Sequence, residues 1–234
     1  MGRPSRHRHR PPARRGILLR LDIYSDTICP WCFIGKRRLE RALAQRAPIG
    51  ISLRWRAFQL NPGMPAEGMD RQTYLAAKFG QPERARRIYD AVYAAGQSEG
   101  LPFDFERMRR TPNTLNSHRL LRLAWDEGCQ NELAERLFQA YFIDARDIGD
   151  DGVLMDVAGS VGMDNVAVGD FLAGDRFRTE IEQEDRSARR LGISGVPCFI
   201  FNQRYALSGA QEPEAFFQLF DLARVDEEMA TESW

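Results

Sequence analysis

The chain has 234 residues, and 43% of them are apolar, enough for a sizeable core and against wholesale disorder. Net charge is zero, but residues 1–15 hold six arginines and no acid, which leaves the body with 27 basic against 33 acidic residues. That excludes a basic nucleic-acid face on the body, and no run approaches the roughly 18 apolar residues of a membrane span.

Residues 1–16 read as a disordered basic tail. Arg14-Arg15 suits the start of an export signal, but Gly16-Ile17-Leu18-Leu19 is cut by Arg20 and Asp22, too short for its apolar region. The expectation is a soluble, cytoplasmic protein. Ile17 to Tyr24 reads as a mostly buried strand, followed by a Ser25-Asp26-Thr27 loop. A helix follows, in which Cys32, Leu39 and Leu43 share a face and Arg37, Arg38 and Arg41 lie opposite. Ile51, Leu53 and Trp55 alternate with polar residues as a half-exposed strand near a sheet edge, which Asn61-Pro62-Gly63 terminates.

From about 66 to 191 the pattern is helical. One helix opens at Pro82, a second runs from Leu115 to Trp125, a third is capped by Asn131, and a long charged one runs from Arg176 to Leu191. The end changes character. Val196 to Phe201 and Tyr205 to Leu207 flank Asn202-Gln203 as a hairpin, and a helix follows from Ala215 to Ala223. Residues 227–234 read as an acidic tail. The fold class is α/β, a mixed central sheet with flanking helices and a large all-helical insertion.

Four cysteines in 234 residues do not form a disulfide scaffold. Only Cys29 and Cys32 are close, in Cys29-Pro30-Trp31-Cys32 at a strand-to-helix junction. Disulfide exchange needs a thiolate nucleophile and a second thiol near enough to resolve the mixed disulfide. The unpaired N–H groups and dipole of a helix start favour the thiolate at Cys29, and Cys32, one turn on, becomes the buried resolver. The competing reading is half a zinc site. Structural zinc needs four ligands, whereas Cys129 and Cys198 are single and distant, so no metal is expected. Cys198, in an apolar strand, reads as a core thiol, and Cys129 as an unpaired one at a helix turn.

Gly195-Val196-Pro197 places a proline, which cannot donate to a ladder, at the start of a strand. In combination, Ser25-Asp26, Cys29 to Cys32, Ile34 to Leu39, Leu60-Asn61-Pro62, Asn113-Thr114, His118, Gly195-Val196-Pro197 and Ser208 to Gln211 resemble the FrnE-like branch of the DsbA family, in the thioredoxin superfamily. The resemblance spans about residues 17–225. It implies a thioredoxin-like fold split into a first half (17–65) and a second half (192–226) around the insertion (66–191). It also implies that Pro197 is cis and packs on the dithiol, that Cys198, one position on, points away from the pair into the apolar layer between sheet and helix, and that the Val196 backbone pairs with an extended substrate.

Pro30 and Trp31 are further candidate substrate contacts. Asp26, Asp22 and His118 are candidates for proton transfer or for lining the site. The chain departs from many relatives in carrying Cys198 after the proline and Gln59 where an acid is common. Ile23 stands six residues before Cys29, where thioredoxins keep a buried acid. The implied activity is dithiol–disulfide oxidoreductase or isomerase chemistry on protein or small-molecule thiols. It needs no cofactor beyond the redox-active pair, with glutathione as an allowed co-substrate and oligomerisation left open. The alternative is a glutathione-dependent enzyme of the 2-hydroxychromene-2-carboxylate isomerase or kappa-class transferase type. Those usually carry serine in place of a resolving pair.

Overall fold

The structure, a computed structural model, describes residues 18–46 and 50–232. The basic tail at 1–16 and the last residues of the acidic tail lie outside that range.

Strand β1 (Leu18–Ser25) alternates Leu19, Leu21 and Ile23, all fully buried, with Arg20, Asp22 and Tyr24 on the other face. Helix α1 (Pro30–Ala44) covers the apolar face, and β2 (Gly50–Ala57) returns parallel to β1. Strands β5 (Cys198–Phe201) and β6 (Tyr205–Ser208) form the hairpin around Asn202 and Gln203, both at positive φ. Helix α9 (Pro213–Glu232) closes the chain and packs beside α1, with Phe216 and Phe220 against Phe199 and Phe201. The sheet order is β2-β1-β5-β6, with β5 antiparallel to both neighbours. This is the expected mixed sheet. The last helix runs to Glu232, through most of the segment read as an acidic tail.

The insertion holds α2 (Arg71–Phe79), α3 (Pro82–Ser98), α4 (Leu115–Asp126), α5 (Gln130–Phe142), α6 (Asp151–Gly159), α7 (Asn165–Ala173) and α8 (Arg178–Arg190). It is not wholly helical. Two-residue strands β3 (Met69–Asp70) and β4 (Arg110–Thr111) pair antiparallel and bring the chain before α2 beside the chain before α4. Two helix starts also differ from expectation. Cys129 caps α5, while Asn131 accepts a hydrogen bond from Trp55 Nε1 at 3.1 Å. Helix α8 begins at Arg178, because Phe177 before it is left-handed, at φ 66°.

Aromatic rings fasten the insertion to the sheet layer. Phe33 of α1 stacks on Phe138 of α5 at 5.1 Å, and Phe103 meets both Phe33 and Phe142. These rings bury large apolar areas, the dominant favourable term in packing. On the opposite face of the sheet, α8 lies against β2, where Glu184 pairs with Arg56 at 2.7 Å.

Candidate active site

The close cysteine pair sits where β1 ends and α1 begins. Cys29 N–H bonds to Asp26 C=O at 3.0 Å, closing the turn. Cys29 caps α1 in an extended conformation, and Pro30 follows in the first turn, where its missing N–H costs nothing. The helix therefore starts at the first cysteine, with its unpaired N–H groups nearest that sulfur. Cys32 is one turn on and almost fully buried. Both are thiols. Burial pushes the Cys32 thiol well up, and its hydrogen bond to Cys29 and the Cys29 charge push it further. The Ser25 hydroxyl and the Asp26 N–H oppose them.

The Val196–Pro197 bond is cis. The Cys29 thiol donates to Val196 C=O at 3.5 Å, so the loop and the first cysteine touch directly. Strand alternation carries Pro197 and Phe199 to the α1 face. A Cβ at Gly35 would lie 3.0 Å from Pro197 Cγ and 3.2 Å from Phe199 Cζ, so glycine is what lets α1 approach this loop. Pro30, Trp31 and Val196 are half-buried and border the pair.

Asp26 and His118 meet beneath the turn. Asp26 is fully buried; one oxygen accepts from Leu60 N–H at 2.6 Å and the other lies 3.3 Å from His118 Nε2. Beside them, the Thr27 and Ser117 hydroxyls share a hydrogen bond of 2.7 Å. Gln59 is buried too: its N–H bonds to Asp185 at 2.8 Å and its amide to Thr114 at 3.4 Å.

Two sequence expectations fail. Asp22 does not face the dithiol. It lies on the opposite face of β1, paired with Arg20 at 2.9 Å and Arg56 at 2.7 Å, because residues an odd number of positions from Ile23 face away from α1. Cys198 does point away from the pair, as its alternation requires, but not into the layer between sheet and helix. It opposes Tyr24 and Ser208 across the sheet and lines a cavity of about 370 Å³ with Leu191, Ile193 and Ile200. Burial still raises its thiol. Cys129 stands at the start of α5, so the four cysteines do not converge, and among the described residues no three His, Cys, Asp or Glu side chains are grouped to hold a metal.

The residues that sequence reasoning missed are Gly35 and Ser25. The first was hidden because its close neighbours are 162 and 164 positions away. The second was read as a loop residue, whereas β1 continues through it.

A family profile described as DSBA-like thioredoxin domain matches residues 20–221. The chain belongs to this DSBA-like family. Its fold agrees with that of a probable DsbA oxidoreductase from Streptomyces coelicolor, with a TM-score of 0.80, 35% identity, and 88% and 89% of the two chains covered. The Bacillus subtilis (strain 168) protein YwbO is 24% identical over 201 residues, 86% of this chain and 94% of that one. The cytosolic disulfide reductase DsbM from Pseudomonas aeruginosa, solved with GSH, has the same fold at a TM-score of 0.57 and 19% identity, with 91% and 99% covered. This DSBA-like chain is thus a member of a thiol oxidoreductase family, with a thioredoxin-like fold and a helical insertion.

Proposed function

We propose that the protein exchanges disulfides with protein or small-molecule thiols through Cys29-Pro30-Trp31-Cys32. The observation that carries this reading is the contact of Cys29, at the helix start, with the cis-proline loop, while Cys32 waits buried one turn behind. The Cys29 thiolate attacks a substrate disulfide, forms a mixed disulfide and releases one substrate thiolate. Cys32 then attacks Cys29 Sγ and releases the second, leaving the pair oxidised by two electrons and the substrate reduced by two. The reverse sequence oxidises a substrate dithiol.

The Val196 backbone supports an extended substrate segment, since main-chain bonds tolerate many sequences. Trp31 and Pro30 offer an apolar border to it. Small thiols, glutathione among them, fit the same chemistry without a further cofactor. The setting we infer is the cytoplasm; among the described residues no helix is long and apolar enough to cross a membrane.

The test is dithiothreitol-driven reduction of insulin. Wild type is expected to accelerate it, Cys29→Ser to lose the acceleration, and Cys32→Ser to accumulate a mixed disulfide on Cys29 visible by intact mass. Undiminished turnover in Cys29→Ser would overturn the assignment.

A further inference from the structure

Ser25 is the last residue of the buried row on β1. Leu19, Leu21 and Ile23 precede it on the face toward α1, and all three are fully buried. Alternation places the Ser25 side chain on that same face, at the end nearest the redox pair. It is a polar residue in an apolar row and is only 4% exposed. Its carbonyl is used by Phe58 N–H at 3.1 Å. Its hydroxyl is not used: among the described residues, Ser25 Oγ is the one buried side-chain polar atom without a hydrogen-bond partner. Buried hydroxyls are rarely left so, because the unmade bond costs free energy, and an orphan calls for an explanation. The group that supplies one is the Cys32 sulfur: Ser25 Oγ makes no hydrogen bond in this structure, yet its hydroxyl, like the Asp26 N–H, favours the Cys32 thiolate over the thiol.

We propose that Ser25 is a catalytic residue of the resolving step, its hydroxyl donating to the Cys32 thiolate. The inference rests on the dithiol-exchange reading above. In the mixed disulfide, Cys32–SH gives its proton to water. The thiolate attacks Cys29 Sγ, a Cys29–Cys32 bond forms, and the bond from Cys29 to the substrate sulfur breaks. The departing thiolate takes up a proton, so the proton count is unchanged. In the opposite direction Cys32 is the leaving thiolate, and the same hydroxyl stabilises it. The role is therefore independent of the direction of electron flow. An apolar residue at position 25 would leave the buried thiolate with the Asp26 N–H as its remaining donor from this turn.

Titratable groups face this corner from several elements. Cys29 caps α1, and Asp26 meets His118 of α4. The Asp185–Arg189 pair of α8 lies behind Gln59, and Tyr89 of α3 lies within range of the Cys29 charge. All of these persist in a Ser25 variant, so a change in pH dependence between variant and wild type reports on the hydroxyl.

The experiment is stopped-flow mixing of reduced protein with an aromatic disulfide that releases a coloured thiolate, followed from acid to mildly alkaline pH. The first release reports attack by Cys29, the second resolution by Cys32. In Ser25→Ala the second phase is expected to slow about tenfold, the order of one hydrogen bond to a charged group, and its pH profile to move to higher pH. The first phase should change less than twofold, and the reduced variant should be at least as stable as wild type, since the orphan hydroxyl is gone. Ser25→Thr, which keeps the hydroxyl, should restore much of the second phase. A second phase within twofold of wild type, or an equal slowing of both phases, would overturn the proposal. If Ser25→Ala does not fold, Ser25→Gly removes the hydroxyl and is read the same way. A wild type with no second phase would overturn the dithiol reading itself, and this inference with it.

Discussion

Gly35 shows how one missing methyl group holds the site together. It lies on α1 one turn beyond Cys32, against the ring of Pro197, with Ala210 Cα a third neighbour at 3.6 Å from a hypothetical Cβ. Neither a proline ring nor a backbone atom yields easily. Gly35→Ala gains about 0.8–1.0 kcal/mol of helix propensity but overpacks the contact, a change that typically costs about 1–3 kcal/mol. The expected net result is a loss of about 1 kcal/mol in urea denaturation. A several-fold drop in insulin-reduction rate should accompany it, because Pro197 shifts relative to Cys29. A variant more stable than wild type with full activity would mean that the loop relaxes freely. Asp26 works at the same scale, since its carboxylate binds Leu60 N–H and meets His118 while its backbone serves both cysteines.

Among the elements, α7 ends on a buried cation. Arg119 of α4 is fully buried, and no carboxylate among the described residues pairs with it. Its guanidinium donates instead to the carbonyls of Phe171 at 3.0 Å, Gly174 at 2.5 Å and Arg176 at 2.8 Å. A helix C-terminus leaves carbonyls unpaired and carries partial negative charge, so a planar, five-donor cation suits it better than an ammonium. Arg119→Met should cost about 2–4 kcal/mol by chemical denaturation, through several buried carbonyls left unpaired. Arg119→Lys should recover only part of this. A loss under 0.5 kcal/mol, the ordinary size of a surface change, would show that the carbonyls find other donors. The β2 edge is managed in a similar way. The Gln130 side chain accepts from Trp55 N–H at 2.8 Å and donates to Trp55 C=O at 3.1 Å, and Glu184 accepts from Ala57 N–H at 2.8 Å. Side chains here satisfy backbone groups that an edge strand would otherwise leave open to another chain.

For the molecule as a whole, the redox state of the pair should alter the dependence of stability on pH. Burial raises the Cys32 thiol in the folded reduced protein, so the unfolded chain loses that proton first. The neutral thiol's contribution is complete below the ordinary value of 9.0 and is lost as pH rises through the higher folded value. In the oxidised protein Cys32 has no proton to lose. Cys129 and Cys198 are also raised, but they titrate in both forms and cancel in the comparison. The stability gap between oxidised and reduced protein should therefore widen above about pH 9, measured by denaturant melts of the two forms in parallel. A gap that narrows there would mean that Cys32 ionises more readily in the fold than out of it.

Much of this was legible from local patterns. A dithiol at a strand-to-helix junction, a strand-opening proline, a hairpin around Asn202-Gln203 and helical spacing across the insertion are short-range signals, and each sits where it was expected. Their grouping is what family resemblance could anticipate and alternation could not. Distance in sequence hid the rest. Cys29 meets Val196 across 167 positions, and Asp26 meets His118 across 92. Asp22 and Cys198 show the limit from the other side. Alternation assigns each a face, but only the packed layers decide what that face meets: a pair of arginines for Asp22, a cavity for the buried Cys198. The β3–β4 ladder is two residues long on each side, too short to leave a period. Sequence alone determined that a close cysteine pair stands where a helix starts, because backbone propensity and side-chain period are local. The tertiary structure decided which buried groups find partners and which, like the Ser25 hydroxyl, go without, because satisfaction of a buried group depends on chain segments brought together only by folding.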